Sequence, residues 1–481
     1  MAQNNMNRGL NSRHITMIAI GGAIGTGLFV ATGNVISQAG PGGAILAYLI
    51  IGIMLYFLMS TVGELATFYP VSGSFSSYST RFVDKSLGFT MGWLYWIMWI
   101  LVASVDIIIA ASVLDYWEIF RIVHPVVWSL IFLVLLFLLN IFSVRAFGEA
   151  EFWLSLIKVV TIIVFIVVGI LTIFGILGGK TYGFTNYTIG EAPFVGGLSG
   201  FLGVLLVAGF SVGGTEMIAV TAGESNNPHK SIPKAIRQVF WRILLFYILS
   251  IAVIGAIIPY SDPTLLNKDS SVNLSPFTIV FDRVGIAFAA SVINAVILTS
   301  LLSAANSGIY TTSRMLFSMS EDKTAPKYFS ALNSKTKLPM RALFTTFITV
   351  LLVIVIAQFK SNIVFDLLNI IGSLIIIIWA SCLLAQARLR RAIKKQGKRV
   401  KDVLPYRSPL YPLGPILVSA ILLFLFFGNS FGALMDGDIV SVIRNVTPMF
   451  ILLLIYLVHK MINKTKTVNL NDIDLDSNHY R

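Results

Sequence analysis

Residues 21–30 read GGAIGTGLFV, four glycines inside a hydrophobic stretch running from about Ile15 to Ile36, with Gly33 just beyond. Each glycine costs about 1 kcal/mol against alanine in an ordinary helix, so something here needs bare backbone. A second glycine-rich interruption, AGFSVGGTE from Ala208 to Glu216, breaks another hydrophobic stretch. An interrupted helix leaves N–H groups free on one half and C=O groups free on the other. The N–H end, with its partial positive charge, suits a carboxylate; the C=O end suits an ammonium. Two such breaks facing each other make a receptor for a zwitterion, an α-amino acid, with little help from charged side chains. Gly25 and Gly27 let the backbone turn and the ligand approach, and Thr26 adds a hydroxyl donor. Close helix packing through small residues is the other use of the same glycines.

Ionisable residues inside hydrophobic stretches are functional candidates by default, because insertion there costs roughly 2.5–3.5 kcal/mol for Lys or Asp. Lys158 lies seven residues after Glu151, roughly 10 Å into its stretch at 1.5 Å per residue. It either snorkels back to the headgroups or gains and loses a proton in a desolvated setting. Glu216 directly follows the second break, where it can pair with a cationic substrate, take part in proton transfer, or bond to unwound backbone. Glu224 closes the same helix, with a solvated end charge as its plain reading. Asp106, mid-stretch in VASVDIIIAAS, is a third acidic candidate, and a neighbouring hydroxyl is its structural alternative. Ser211, Gly213 and Thr215 complete the second break.

The elements that must position these residues are membrane spans. Of 481 residues 56% are hydrophobic and only 12% charged, about half the charged fraction of a soluble protein, and the mean hydropathy is +0.83. The hydrophobic runs approach 20 residues, enough to cross a bilayer core of about 30 Å. Twelve runs are expected, at 15–36, 43–67, 88–113, 126–144, 152–178, 196–222, 239–259, 284–312, 342–358, 364–387, 412–432 and 441–462. Runs of this scale imply an all-α helical bundle in a membrane, not a β-barrel of alternating strands.

The net charge of +13 needs no nucleic acid to explain it. With the N-terminus inside, 28 Lys and Arg fall on the cytoplasmic side and six on the other, with Lys158 within a span. That asymmetry fits a cell-membrane protein with both termini cytoplasmic. Cys382 is the only cysteine, so no intrachain disulfide forms, and the five histidines show no metal-ligand spacing. The polar start MAQNNMNRGLNS does not resemble a cleavable signal. The basic stretch from Arg388 to Pro412 reads as a solvated cytoplasmic loop, and the polar tail from Asn463 as disordered.

Five spans separate the two breaks, as expected for two five-helix repeats of opposite orientation, each opening with a discontinuous helix. The expected organisation is a tail over 1–14, repeats over 15–178 and 194–390, a basic loop over 391–411, two added helices over 412–462, and a tail over 463–481.

The segments GGAIGTGLFVATG, QAGPGGA, FGEAEFWLSLIKV, YTIGEAPFVGG, GGTEMIAVTAGES, IPKAIRQVFWRILLFY and SAANSGIYTTSRML resemble the amino acid transporter branch of the amino acid–polyamine–organocation superfamily. Within it the chain looks most like the bacterial lysine-specific permeases, and the similarity runs from about residue 8 to 460. The resemblance implies a proton-coupled importer with the five-plus-five inverted fold. By motif, the substrate carboxylate would meet Thr26 and the amides of Gly25 and Gly27. The α-amino group would meet carbonyls at Ala23, Phe210 and Gly213, with Phe210 as a gate. A lysine at the position of Lys158 stands in for a bound sodium ion in proton-coupled relatives. The same resemblance makes Glu216 and Glu224 candidates for selectivity. The sequence SVGGTE departs from the bulkier pair expected before GTE, so Val212 and Gly213 would reshape the side-chain pocket.

The expected function is import of an L-amino acid, preferably cationic lysine, by proton symport and alternating access. A permease for neutral or other amino acids is the alternative, and a sensor without net transport a weaker one. No nucleophile, metal cluster or paired catalytic acids suggest an enzyme. The implied partners are the amino acid, the proton and the lipid bilayer, with no cofactor and no obligate protein partner.

Overall fold

A computed structural model describes residues 10–141, 144–266, 275–285, 287–359, 363–435, 437 and 439–476. The chain is helical. The first stretch yields α1 (Ser12–Ala23), a four-residue α2 (Thr26–Phe29) and α3 (Ala31–Phe68), which is kinked at Gly40 and Pro41. Gly40 takes φ +74, a left-handed value that glycine adopts without strain. Then follow α4 (Ser74–Phe82), α5 (Lys85–Val113), α6 (Pro125–Ile141) and α7 (Val144–Ile173). The second break separates α8 (Gly197–Ser211) from α9 (Met217–Thr221). Beyond it lie α10 (Pro228–Ile257), α11 (Pro263–Leu266), α12 (Pro276–Arg283), α13 (Ala287–Glu321), α14 (Met340–Ala357) and α15 (Ile363–Lys395). The short α16 (Val400–Val403) leads to α17 (Leu413–Met435) and α18 (Ile439–Ile462).

Local chemistry sets the boundaries. Asp84 caps α5 by accepting the Leu87 N–H at 2.8 Å. Asn227 and Ser275 cap α10 and α12, each followed by a proline at the first helical position, where its missing N–H costs nothing.

Six of the described helices are long and apolar enough to cross a bilayer. Outward faces remain greasy: α7 exposes Val160, Ile163 and Val167, and α18 exposes Ile451 and Leu454. Inside, α13 packs along α5 and α10 along α3, while α1 is enclosed by α7, α10 and α13. The two broken helices therefore sit at the centre of the bundle.

Two expectations are corrected on the face that carries the chain termini. The tail is not disordered through residue 476. The Val468 N–H donates to Val83 O at 2.8 Å, and Arg388 donates to the carbonyls of Phe82 and Val468. Gln396 donates to Leu470 O at 2.9 Å and Ile473 O at 2.8 Å, and Arg81 pairs with Asp474 at 3.3 Å. Ile473 and Leu475 are buried, two apolar anchors that the acidic composition concealed. Likewise, the basic stretch after residue 387 is not all solvated loop. The α15 helix runs on to Lys395, and Arg390 forms a bidentate pair with fully buried Glu64, whose Oε2 also accepts the Ser408 N–H at 2.8 Å.

Arg388→Ala removes the charge-assisted hydrogen bond to Val468 O in the docked tail, worth about 1.5–3 kcal/mol, together with the one to Phe82 O that anchors the guanidinium. Limited proteolysis should cut residues 463–476 at least tenfold faster in this variant, with the helical bundle left intact.

Candidate functional site

The α1 helix ends where Ile24 turns extended (φ −91, ψ 95) and Gly25 follows at φ −150, ψ −136. Three of the carbonyls left at this end, those of Gly21, Ala23 and Ile24, find side-chain donors. Lys158 Nζ, wholly buried on α7, donates to Gly21 O at 2.7 Å and Ile24 O at 3.0 Å. Tyr247 Oη on α10 lies 2.9 Å from Ala23 O and 2.5 Å from Ser211 O, so one hydroxyl joins the carbonyl ends of both breaks. An ammonium at a helix C-terminus meets the negative end of the dipole. Lys158 does not snorkel; it caps.

The second break turns at Gly213–Gly214, with Gly214 at φ +98. Thr215 Oγ1 donates to Val212 O at 3.2 Å, and Glu216 Oε2 accepts the Gly214 N–H at 2.9 Å. Ser211 Oγ receives the Tyr48 hydroxyl at 2.9 Å, and its own proton is shared between Val207 O at 2.8 Å and Gly27 O at 3.2 Å. The breaks touch directly: a Cβ on Gly27 would stand 2.4 Å from Ser211 Cα, against 3.2 Å from Ala304 Cβ for one on Gly25. Close packing is therefore what Gly27 supplies.

Between the breaks lies a cavity of about 30 Å³ lined by Ala23, Gly25, Thr26, Gly27, Ser211 and Gly213, together with Trp99 and Asp106 of α5, Ala304 of α13 and Ile371 and Ile375 of α15. Thr26 Oγ1 donates to Asp106 Oδ1 at 2.6 Å, which ties the first break to α5. A benzene-sized ligand needs about 150 Å³, so the walls must part before an amino acid enters. Just behind Gly214, Glu216 is fully buried. Its Oε1 completes no hydrogen bond of good geometry among the described residues, and neither does the Trp379 indole N–H beside it.

Glu224 stands apart from this cavity. It is buried at the terminal face, accepting from Arg314 Nε at 3.2 Å and from the Tyr310 hydroxyl. The Arg314 guanidinium sits 4.0 Å from the Tyr310 ring centre, and Phe147 stacks on that ring at 4.1 Å. The N-terminal segment is bonded there as well, from Leu10 N to Glu224 O at 3.1 Å. Glu224 is thus a tie between α9 and α13 and not a solvated end charge. Phe210 belongs to α8, and its side chain lies outside the described residues.

Residues 14–471 match the family described as amino acid permease. The chain belongs to that family. It is 46% identical to the lysine-specific permease LysP of Escherichia coli over 98% of this chain and 97% of that protein. It is 47% identical to LysP of Lactococcus lactis over 97% and 92%, and 46% identical to the histidine permease HisP of the same species over 98% of each. The motif resemblance to lysine permeases is borne out, and with the family come a membrane setting and a small-molecule substrate, an amino acid. Tyr48, Tyr247, Trp99 and Glu151 were not singled out by sequence. Tyr247 had the best available signal, a phenol that shares the apolar run RILLFYILSIAV of this permease only with Ser250 as a hydroxyl.

Gly27→Ala should force α2 and α8 apart, an overpacking cost of about 1–3 kcal/mol. The expected outcome is normal membrane insertion, a lower thermal midpoint in detergent and at least tenfold weaker uptake.

Proposed function

We propose that the protein imports a cationic L-amino acid, lysine foremost, by proton symport through alternating access. One observation carries the reading: two helix breaks meet at a small buried cavity, with a carboxylate of incomplete hydrogen bonding directly behind the second break. The first N–H groups of α2, at Gly25, Thr26 and Gly27, have no intrahelical acceptor and suit the substrate carboxylate. The carbonyl ends at Ala23, Phe210 and Gly213 suit its ammonium. Binding then exchanges the Thr26–Asp106 and Tyr247–Ala23 bonds for bonds to substrate. Glu216, backed by Ser211 and Thr215 on the same break, meets the cationic side chain. Glu224 acts on selectivity only through closure of the terminal face.

Proton coupling rests on Lys158. Its ammonium holds Gly21 O and Ile24 O. A neutral amine there gives up its charge against the dipole and loosens α1. The framework of the proposal is twelve spans in two inverted five-helix repeats with two added helices. Both termini face the cytoplasm, supported by the 28-to-six distribution of Lys and Arg.

The equal similarity to a histidine permease favours one second reading, in which the cationic group is an imidazolium. Competition against labelled lysine in proteoliposomes separates the possibilities. Lysine should compete at least tenfold better than norleucine, its near-isostere without the ammonium, because an unpaired buried carboxylate is costly. Glu216→Gln should shrink that gap. Histidine outcompeting lysine would move the assignment to the second reading, and norleucine matching lysine would end the cationic one. Lys158→Ala should keep substrate exchange yet fail to accumulate substrate when driven by a pH gradient alone.

A further inference from the structure

A buried carboxylate on α7 has no part in substrate binding. Glu151 is fully buried, with Oε2 accepting from Ser303 Oγ at 2.7 Å and Oε1 from Asn306 Nδ2 at 2.6 Å, both on α13. It shares a helix face with Lys158, two turns or about 10 Å away along the axis, and Ser155 lies between them. All three converge on one residue of α1. A Cβ on Gly21 would stand 2.3 Å from Ser155 Oγ, 3.3 Å from Glu151 Oε2 and 3.5 Å from Ser303 Oγ, while Gly21 O accepts the Lys158 ammonium at 2.7 Å. The lysine and the carboxylate thus flank a single glycine, and the Ser155 hydroxyl packs into the room left by its missing side chain. The flexible four-carbon stem of the lysine lets its ammonium swing from Gly21 O toward the carboxylate.

Resting on the proton-symport reading, we infer that Glu151 receives the proton that Lys158 gives up on its way to the terminal face. In the transfer the ammonium loses H⁺ to become an amine, and the carboxylate gains it to become a carboxylic acid. No other bond changes. The charged groups facing this pair are few. Asp106 of α5 acts on Lys158 from the cavity side, and α13 presents Ser303, Asn306 and Ser307. On the far side of Glu151, buried His14 of α1 lies 3.1 Å from Glu149, which is one-third exposed and also pairs with Arg13. A proton on Glu151 therefore has an imidazole and a solvent-reaching carboxylate ahead of it in the direction of release. Ser303 and Asn306 donate to the charged carboxylate and hold it ready to accept.

The experiment compares wild type, Glu151→Gln and Glu151→Asp in proteoliposomes, reading lysine counterflow, pH-gradient-driven accumulation and lysine-induced proton flux. Glu151→Gln should exchange lysine within about twofold of wild type but lose at least tenfold in accumulation, with no proton flux. Glu151→Asp, which keeps the carboxyl group, should recover a measurable part of both. Accumulation by Glu151→Gln at the wild-type level overturns the inference. So does equal loss of exchange and accumulation in both variants, the mark of a residue that only ties α7 to α13. Absence of lysine-induced proton flux in wild type would instead remove the symport reading itself.

Discussion

A peptide group without a partner in hydrocarbon costs several kcal/mol, and this bundle interrupts two helices at its centre. Everything around the site answers that constraint. Lys158 and Tyr247 take the carbonyls released at α1, Tyr247 and Ser211 bridge to α8, and Glu216 receives an amide of the second turn. The donors come from α7 and α10, the helices packed on either side of α1. The proposed substrate site draws on the same backbone atoms as this repair, so a ligand bound there would replace bonds the protein already makes to itself.

The architecture was readable because membrane spans announce themselves by length and composition. Described helix covers most of the hydrophobic runs, six of the helices are long and apolar enough to cross a membrane, and the two glycine-rich interruptions fall where helices break. What escaped was whatever depends on which distant residue lies opposite. Asp106 meeting Thr26 was open to the sequence only as one of several hydroxyls. Glu224 looked like a helix-end charge because its partner Arg314 is ninety residues away. Lys158 could be placed at a depth by counting residues but not aimed, and depth alone fits snorkelling as well as capping. The tail escaped for another reason: two buried residues, Ile473 and Leu475, were diluted by polar neighbours.

Ion pairs cluster on the terminal face. Glu64 with Arg390, Asp84 with Lys460 and Glu224 with Arg314 each bury a carboxylate against a cation from a different helix. Buried pairs of this kind add little net stability, since desolvation offsets the attraction, but separating them exposes an uncompensated charge. They tie the helices of this face to one another, and parting them carries that cost. The Glu224 group also holds Leu10, so the segment leading into α1 is part of the same set of ties.

Between its side-chain contacts at Thr465 and at Ile473, Asp474 and Leu475, the docked tail is gripped through main-chain groups, its carbonyls held by Arg388 and Gln396. A carbonyl is the same whatever residue carries it. Evolution is accordingly freer to rewrite the polar residues 469, 471 and 472 while the strap stays in place, provided the spacing from Val468 to the Ile473 and Leu475 anchors is kept. Sequence divergence in this region is a poor guide to whether the strap persists. For protein engineering, a C-terminal fusion is best joined beyond residue 476, where it leaves the strap's grip untouched.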